Sequence, residues 1–196
     1  MTDSKVAPAG KRERLVAGAG ELLHRKGVGG TTLADIAQAA AVPVGNVYYY
    51  FKTKDDLVRA VIEAQTDQVD AMLTSFDALP QPADRLKALV RRWEQMREVV
   101  ARYGCPFGTL ASELDRRDDG LDVAAAGPIR RILEWAEMQI RHLGPRDARE
   151  LATALFAGVQ GGALLASALR DPDLMSSQVR HLERWIDTLA ATPAPP

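Results

Sequence analysis

The segment from Thr31 to Asp56, TTLADIAQAAAVPVGNVYYYFKTKDD, narrows the fold more than any other part of the chain. It holds two helix-start signals and a helix breaker in close succession. Thr32 followed by Asp35 is a capping box, so a helix starts at Leu33 and shows Leu33, Ile36, Ala37 and Ala40 on its apolar face. Pro43 breaks that helix and fixes φ where the next can begin. The next helix, 44–50, turns Val47 and Phe51 inward and leaves Gly45, Asn46, Tyr48 and Tyr49 facing out. Thr53 with Asp56 is a second capping box, opening a longer helix. Two short helices about a tight turn, the second rich in exposed tyrosines and followed by Lys52 and Lys54, suit a helix-turn-helix entering a DNA groove.

The flanking sequence extends this helical reading. A first helix over 11–26 repeats Leu15, Ala19, Leu22 and Leu23, with Gly27 at its C′ position, and is expected to pack beneath the reading pair. Residues 1–10 read as polar and frayed, and Lys5, Lys11, Arg12 and Arg14 as within reach of phosphates. A fourth helix over 54–77 carries Leu57, Val61, Ile62, Val69, Met72 and Phe76 and ends before Leu79-Pro80-Gln81-Pro82. Helices are then expected near 83–103, 106–114, 122–143, 147–170 and 173–190, with RRDDG at 116–120 as a solvated loop and the PAPP tail disordered. Neither a strand pattern nor an internal repeat is present.

The helix near 147–170 is apolar nearly all round and so has to be covered on every side. Its Gly158, Gly161 and Gly162 weaken it, so close approach of another backbone is the expected compensation. Pairing this helix and the one near 173–190 with their symmetry mates makes a four-helix dimer interface; the plainer alternative is that both complete a monomer core.

Composition limits the function classes. The 196 residues are long enough for one large domain or two small ones, and 46% hydrophobic with 26% charged residues describes an ordinary soluble protein. The apolar stretches read as too short, or too broken by Arg, Asp or Gln, for a membrane span. The N-terminus lacks an apolar signal region, so a cytoplasmic location is expected. Cys105 stands alone, which removes any internal disulfide or multi-cysteine zinc site. His24, His142 and His181 match no metal spacing, and no Ser/His/Asp elbow or phosphate loop stands out, so no metal, cofactor or catalytic residue is expected. The net charge of −1 conceals segregation: residues 1–60 carry a net of +3 and the rest a net of −4. Phosphate binding depends on local charge, so a near-neutral total does not exclude nucleic acid.

The run AVPVGNVYYYFKTKDDL, preceded by TTLADIAQAA, resembles the DNA-binding domain of the TetR family of bacterial transcriptional regulators over about the first third of the chain. The resemblance implies an all-α fold, with a three-helix helix-turn-helix domain in residues 1–55 and about six helices for ligand binding and dimerisation in 56–196. It implies a homodimer, with the helices near 147–170 and 173–190 at the interface. It also implies an inverted-repeat operator in double-stranded DNA, repression, and release by a small-molecule effector.

Each residue of the reading head then has an expected role. Gly45 lets backbone approach a base edge, and by resemblance it faces the major groove. Tyr48 and Tyr49 offer hydroxyls and ring faces to phosphates, bases and thymine methyls; Tyr50 reaches a phosphate; Asn46 serves the turn or helix start. Lys54, Thr31 and Thr32 sit at helix N-termini, where free N–H groups favour an anion. Val44 stands where relatives often carry a more polar residue.

For the second domain, Trp93, Met96, Tyr103, Phe107, Phe156 and Gln160 are the expected lining of an apolar or aromatic ligand pocket, against the alternative that aromatics at helical spacing are core. The segment YGCPFGTLASEL resembles a subset of these regulators, a few of which sense electrophiles or oxidants through a cysteine near this place. Cys105 at a helix start beside Arg102 is therefore a redox candidate, against the reading of a small buried hydrophobe. Two other classes stand as alternatives: a helical ligand-binding protein without operator binding, and an enzyme built on Cys105.

Overall fold

The computed structural model describes residues 10–144 and 147–191; Lys5, Pro145 and the 193–196 tail, named in the sequence reading, lie outside the described residues. The regular elements among the described residues are all helices, and the residues form two compact units, divided between Ala64 and Gln65.

The first unit holds α1 (Lys11–Lys26), α2 (Leu33–Ala39), α3 (Val44–Tyr50) and the start of α4 (Lys54–Asp77). Leu15, Ala19 and Leu23 from α1, Ile36 and Ala37 from α2, and Val47 from α3 are all buried. Phe51, Leu57 and Val61 join them from the end of the reading segment and from α4. Burial of each large side chain contributes roughly 1.5–3 kcal/mol, which offsets the ordering of short helices that are marginal alone.

Pro43 is the expected breaker of α2, but the chain reverses before reaching it. Ala41 takes a left-handed conformation with φ 51°. Its N–H donates to the Gln38 carbonyl at 3.1 Å, and the Val42 N–H reaches back to the Ala37 carbonyl at 2.9 Å. That is a Schellman ending with alanine where glycine is usual, at a backbone cost of about 1–2 kcal/mol. Arg14 supports it from α1, its guanidinium donating to the Ala40 carbonyl at 3.3 Å and the Ala41 carbonyl at 3.5 Å.

The second unit begins with the rest of α4. It continues through α5 (Pro82–Gln95), α6 (Arg97–Tyr103), α7 (Pro106–Leu114), α8 (Leu121–Ala125), α9 (Gly127–Leu143), α10 (Ala148–Leu169) and α11 (Pro172–Ala191). Two expected helices are each broken in two. The 83–103 helix is interrupted at Met96, with φ −111° and ψ 18°. No glycine or proline marks the site, and Trp93 and Val100 stay on one buried face across it, so the hydrophobic period does not reveal the break. The 122–143 helix divides at Ala126, because Pro128 at the start of α9 has no N–H for an α8 carbonyl.

At the centre of this unit α10 packs against α9, α11 and α6, while α5 packs against α9 and α11. Trp93 meets the edges of Phe156 and Phe107 at centroid separations of 5.6 and 6.4 Å. Polar clasps span distant segments: the Trp135 indole donates to Asp77 at 3.0 Å, and Arg85 donates to the buried Gln139 amide oxygen at 3.1 Å.

Within one chain part of α10 stays uncovered: Leu164, Leu165 and Leu169 are 68%, 53% and 65% exposed. Gly158 and Gly162 admit side chains of α11 rather than a second backbone. A Cβ at Gly158 would lie 3.0 Å from Leu182 and one at Gly162 2.9 Å from Gln178, whereas Gly161 faces open space. In addition, α10 is long and apolar enough to cross a membrane, contrary to the sequence reading. Length and composition alone do not separate such a helix from a core helix; here Leu155, Phe156, Val159, Ala163 and Ala166 are buried within the unit.

Candidate nucleic-acid interface and ligand cavities

Helix α3 is amphipathic over two turns. Val47 is fully buried, and Tyr48, Tyr49 and Tyr50 are 52%, 77% and 36% exposed. Tyr49 and Tyr50 meet edge to face at 5.0 Å, so each restrains the other's rotamer. Gly45 lies on the same exposed helix, and a Cβ there would touch nothing within 4 Å. Lys52 donates to the Tyr48 carbonyl at 3.1 Å, bringing a cation to the C-terminal end of α3. The Arg12 guanidinium stacks on the Phe51 ring at 5.4 Å, which pins the chain between α3 and α4.

Both capping boxes form. The Asp35 N–H donates to the Thr32 hydroxyl at 3.1 Å, while the Thr32 N–H and hydroxyl donate to the Asp35 carboxylate at 2.9 and 2.6 Å. Thr53 and Asp56 repeat the exchange at 2.9 and 3.0 Å. Hydrogen bonds from the Thr32 hydroxyl hold the Asp35 carboxyl below the ordinary aspartate value of 3.8, and Thr53 does the same for Asp56. A lowered folded pKa gives stability that is present above the unfolded value and is lost as pH falls through the folded one. Separately, loss of the N-cap hydroxyl in Thr32→Ala is expected to cost about 1 kcal/mol at neutral pH. In thermal melts, the stability gap between the native chain and Asp35→Asn should stay constant at neutral pH and close as pH falls below 3.8. A gap that persists in acid would refute the charged cap.

Thr31 and Lys54, two expected phosphate contacts, each form a hydrogen bond inside the unit. Thr31 is only 1% exposed, and its hydroxyl donates to the Gly27 carbonyl at 2.7 Å. Its side chain closes the end of α1 and offers no donor outward. The Lys54 ammonium donates to the Val28 carbonyl in the α1–α2 loop, so one of its three protons is engaged inside the unit. Thr32 and Val44 are exposed and Asn46 is half-buried. Sequence reasoning passed over Arg14 as a support of the turn; an arginine on the buried side of α1 was the available signal.

The expected ligand residues divide between two cavities and the core. Trp93, Met96 and Phe107 line a cavity of about 170 Å³, together with Val69, Met72 and Pro106. Gln65, Gln68 and Arg92 complete its wall and were missed; Gln65, Gln68, Val69 and Met72 recur at helical spacing on α4, which was the readable signal. Gln160 instead lines a more open cavity of about 430 Å³ with Cys105, Thr109, Ser112, Leu164 and Ser167. Phe156 is core, and Tyr103 lines neither cavity. Cys105 is 4% exposed, and the Gln160 amide donates to its Sγ at 3.4 Å. Among the described residues, no His/Cys/Asp/Glu cluster has metal-binding geometry.

Comparison with known proteins places both units. The family model described as bacterial regulatory proteins, tetR family, matches residues 15–61. The model described as tetracyclin repressor-like, C-terminal domain, matches residues 82–182. The HTH-type transcriptional regulator BetI of Escherichia coli (strain K12) is 35% identical over 182 residues, covering 91% of this chain and 92% of that protein. The solved structure of a TetR transcriptional regulator from Legionella pneumophila aligns with a TM-score of 0.80 at 22% identity, over 93% of this chain and 98% of that one. Regulatory protein TetR from Rhodobacter sphaeroides aligns with a TM-score of 0.77 at 28% identity, over 89% and 97%.

Proposed function

The chain belongs to the TetR family of bacterial transcriptional regulators, DNA-binding proteins of the helix-turn-helix class, and we propose that it acts as a homodimeric repressor released from an inverted-repeat operator by a small molecule. The observation that carries this reading is the outward face of α3. Tyr49 is 77% exposed and packs edge to face on Tyr50 outside the core, Tyr48 is exposed beside it, and an unobstructed glycine shares the exposed helix. Together they offer ring faces, hydroxyls and close backbone approach to base edges.

A single α3 reads one half-site, so an inverted repeat calls for two copies about 34–36 Å apart. The exposed leucines of α10 supply the pairing surface, since a symmetric pair covers the same apolar strip on both chains. An effector that prefers one spacing of the two reading heads weakens DNA binding, and DNA weakens effector binding by the same factor. Operator binding sets the cytoplasm as the place of action.

The test is selection of bound duplexes from a fragmented genomic pool, with an inverted repeat as the expected outcome; recovery of random duplexes would defeat the reading. Against the selected operator, Tyr48→Ala should re-rank single-base variants by about 1–3 kcal/mol at the contacted position. An equal loss on every variant would reassign Tyr48 to phosphate contact.

A further inference from the structure

The cavity between α4, α5 and α7 has a size and a lining that select its occupant. Its volume is about 170 Å³. An apolar cavity of roughly 150 Å³ accommodates benzene, so the space fits one six-membered ring with a short substituent. The inner wall suits such a ring: Met72 and Met96 are adaptable thioethers, and Trp93 and Phe107 meet edge to face at 6.4 Å.

The polar part of the lining is Gln65, Gln68 and Arg92. Arg92 is its only charged residue, and it is exposed. Among the described residues, the guanidinium makes one long hydrogen bond, 3.4 Å to Gln95 Oε1. Gln65 is half-buried and Gln68 exposed, three residues apart on one face of α4. Arginine presents a planar fork to a carboxylate, and each glutamine adds an amide donor. An ammonium ligand would meet Arg92 without a carboxylate in the lining to pair it.

We infer that the cavity binds a one-ring aromatic acid, its ring against Met72, Met96 and Phe107 and its carboxylate taken by Arg92 with Gln65 and Gln68. This rests on the reading of the protein as an effector-released regulator and specifies the chemical class of the effector.

Titration calorimetry on the full chain with benzoate, benzyl alcohol and benzylamine tests it. Benzoate should bind about tenfold more tightly than benzyl alcohol, a modest factor because Arg92 is open to solvent, and benzylamine should bind weakest. Arg92→Gln should erase the preference for benzoate and leave benzyl alcohol unchanged. Met96→Trp, which fills the space, should abolish binding of all three. The inference falls if benzoate fails to bind, binds no better than benzyl alcohol, or keeps its advantage in Arg92→Gln. The operator assay separates the two levels: selective benzoate binding that leaves the duplex bound refutes release through this cavity while the ligand class stands. Operator binding with no uptake of benzoate refutes the ligand class and leaves the regulator reading intact.

Discussion

Gly45→Leu should abolish operator binding while leaving the free protein at least as stable as before. Nothing lies within 4 Å of the position a Cβ would take, so the substituted chain folds without rearrangement. Replacing an exposed helical glycine by leucine stabilises the helix by roughly 0.5–1 kcal/mol, so the melting temperature should hold or rise. In the proposed complex the same space lies between the α3 backbone and the base edges. A four-carbon side chain there holds the helix off the groove floor and lengthens the contacts of Tyr48 and Tyr49 together. Loss of even one good base contact costs about 1–3 kcal/mol, and two in each half-site give a fall in affinity of well over ~100-fold. Fluorescence anisotropy with the selected duplex reads the affinity and a thermal melt the fold. Native affinity in a stable Gly45→Leu protein would remove α3 from the groove.

Leu164→Glu combined with Leu165→Glu should leave a folded monomer in place of the proposed dimer and thereby remove DNA binding without touching α3. The two leucines are 68% and 53% exposed in the single chain, so their replacement disturbs little inside one protomer. In a symmetric pair, four carboxylates would face an apolar strip with no cation among Ala157, Gly161, Ala168 and Leu169. Each uncompensated buried charge costs several kcal/mol, enough to raise the dissociation constant by more than ~1,000-fold. Sedimentation at micromolar concentration should show a single monomer boundary, and circular dichroism an unchanged helix content. A dimer that survives the double substitution would move the pairing surface elsewhere on the chain.

The first unit was legible because its signals are local. A threonine and an aspartate three residues apart determine where a helix starts, and α3 spans Val44–Tyr50 as its pattern requires, with Val47 in and the tyrosines out. Thr31 marks the limit of that kind of reading. Its chemistry at a helix start suits a phosphate, yet its hydroxyl is turned inward to a carbonyl of the preceding loop. Residue type sets what a side chain can bond; only the approach of α1 decided which partner it reached.

In the second unit the order of the helices was readable and their surroundings were not. Periodicity marks which residues are apolar, and Trp93, Met96, Phe107 and Phe156 are equally apolar in a core or a cavity wall. Packing sent Phe156 to the core, Trp93, Met96 and Phe107 to one cavity and Gln160 to another, and it broke a helix at Met96 where no breaker stands.

By itself, then, the chain's sequence determined the helix starts, the exposed tyrosine face of α3 and the family, because these depend on contacts between residues a few positions apart. The tertiary structure alone decided which face of α10 stays uncovered, which polar groups meet at the cavity and where the long helices bend. Those outcomes depend on burial among residues distant in the chain, and a hydrophobic pattern states only that a side chain prefers cover, not what covers it.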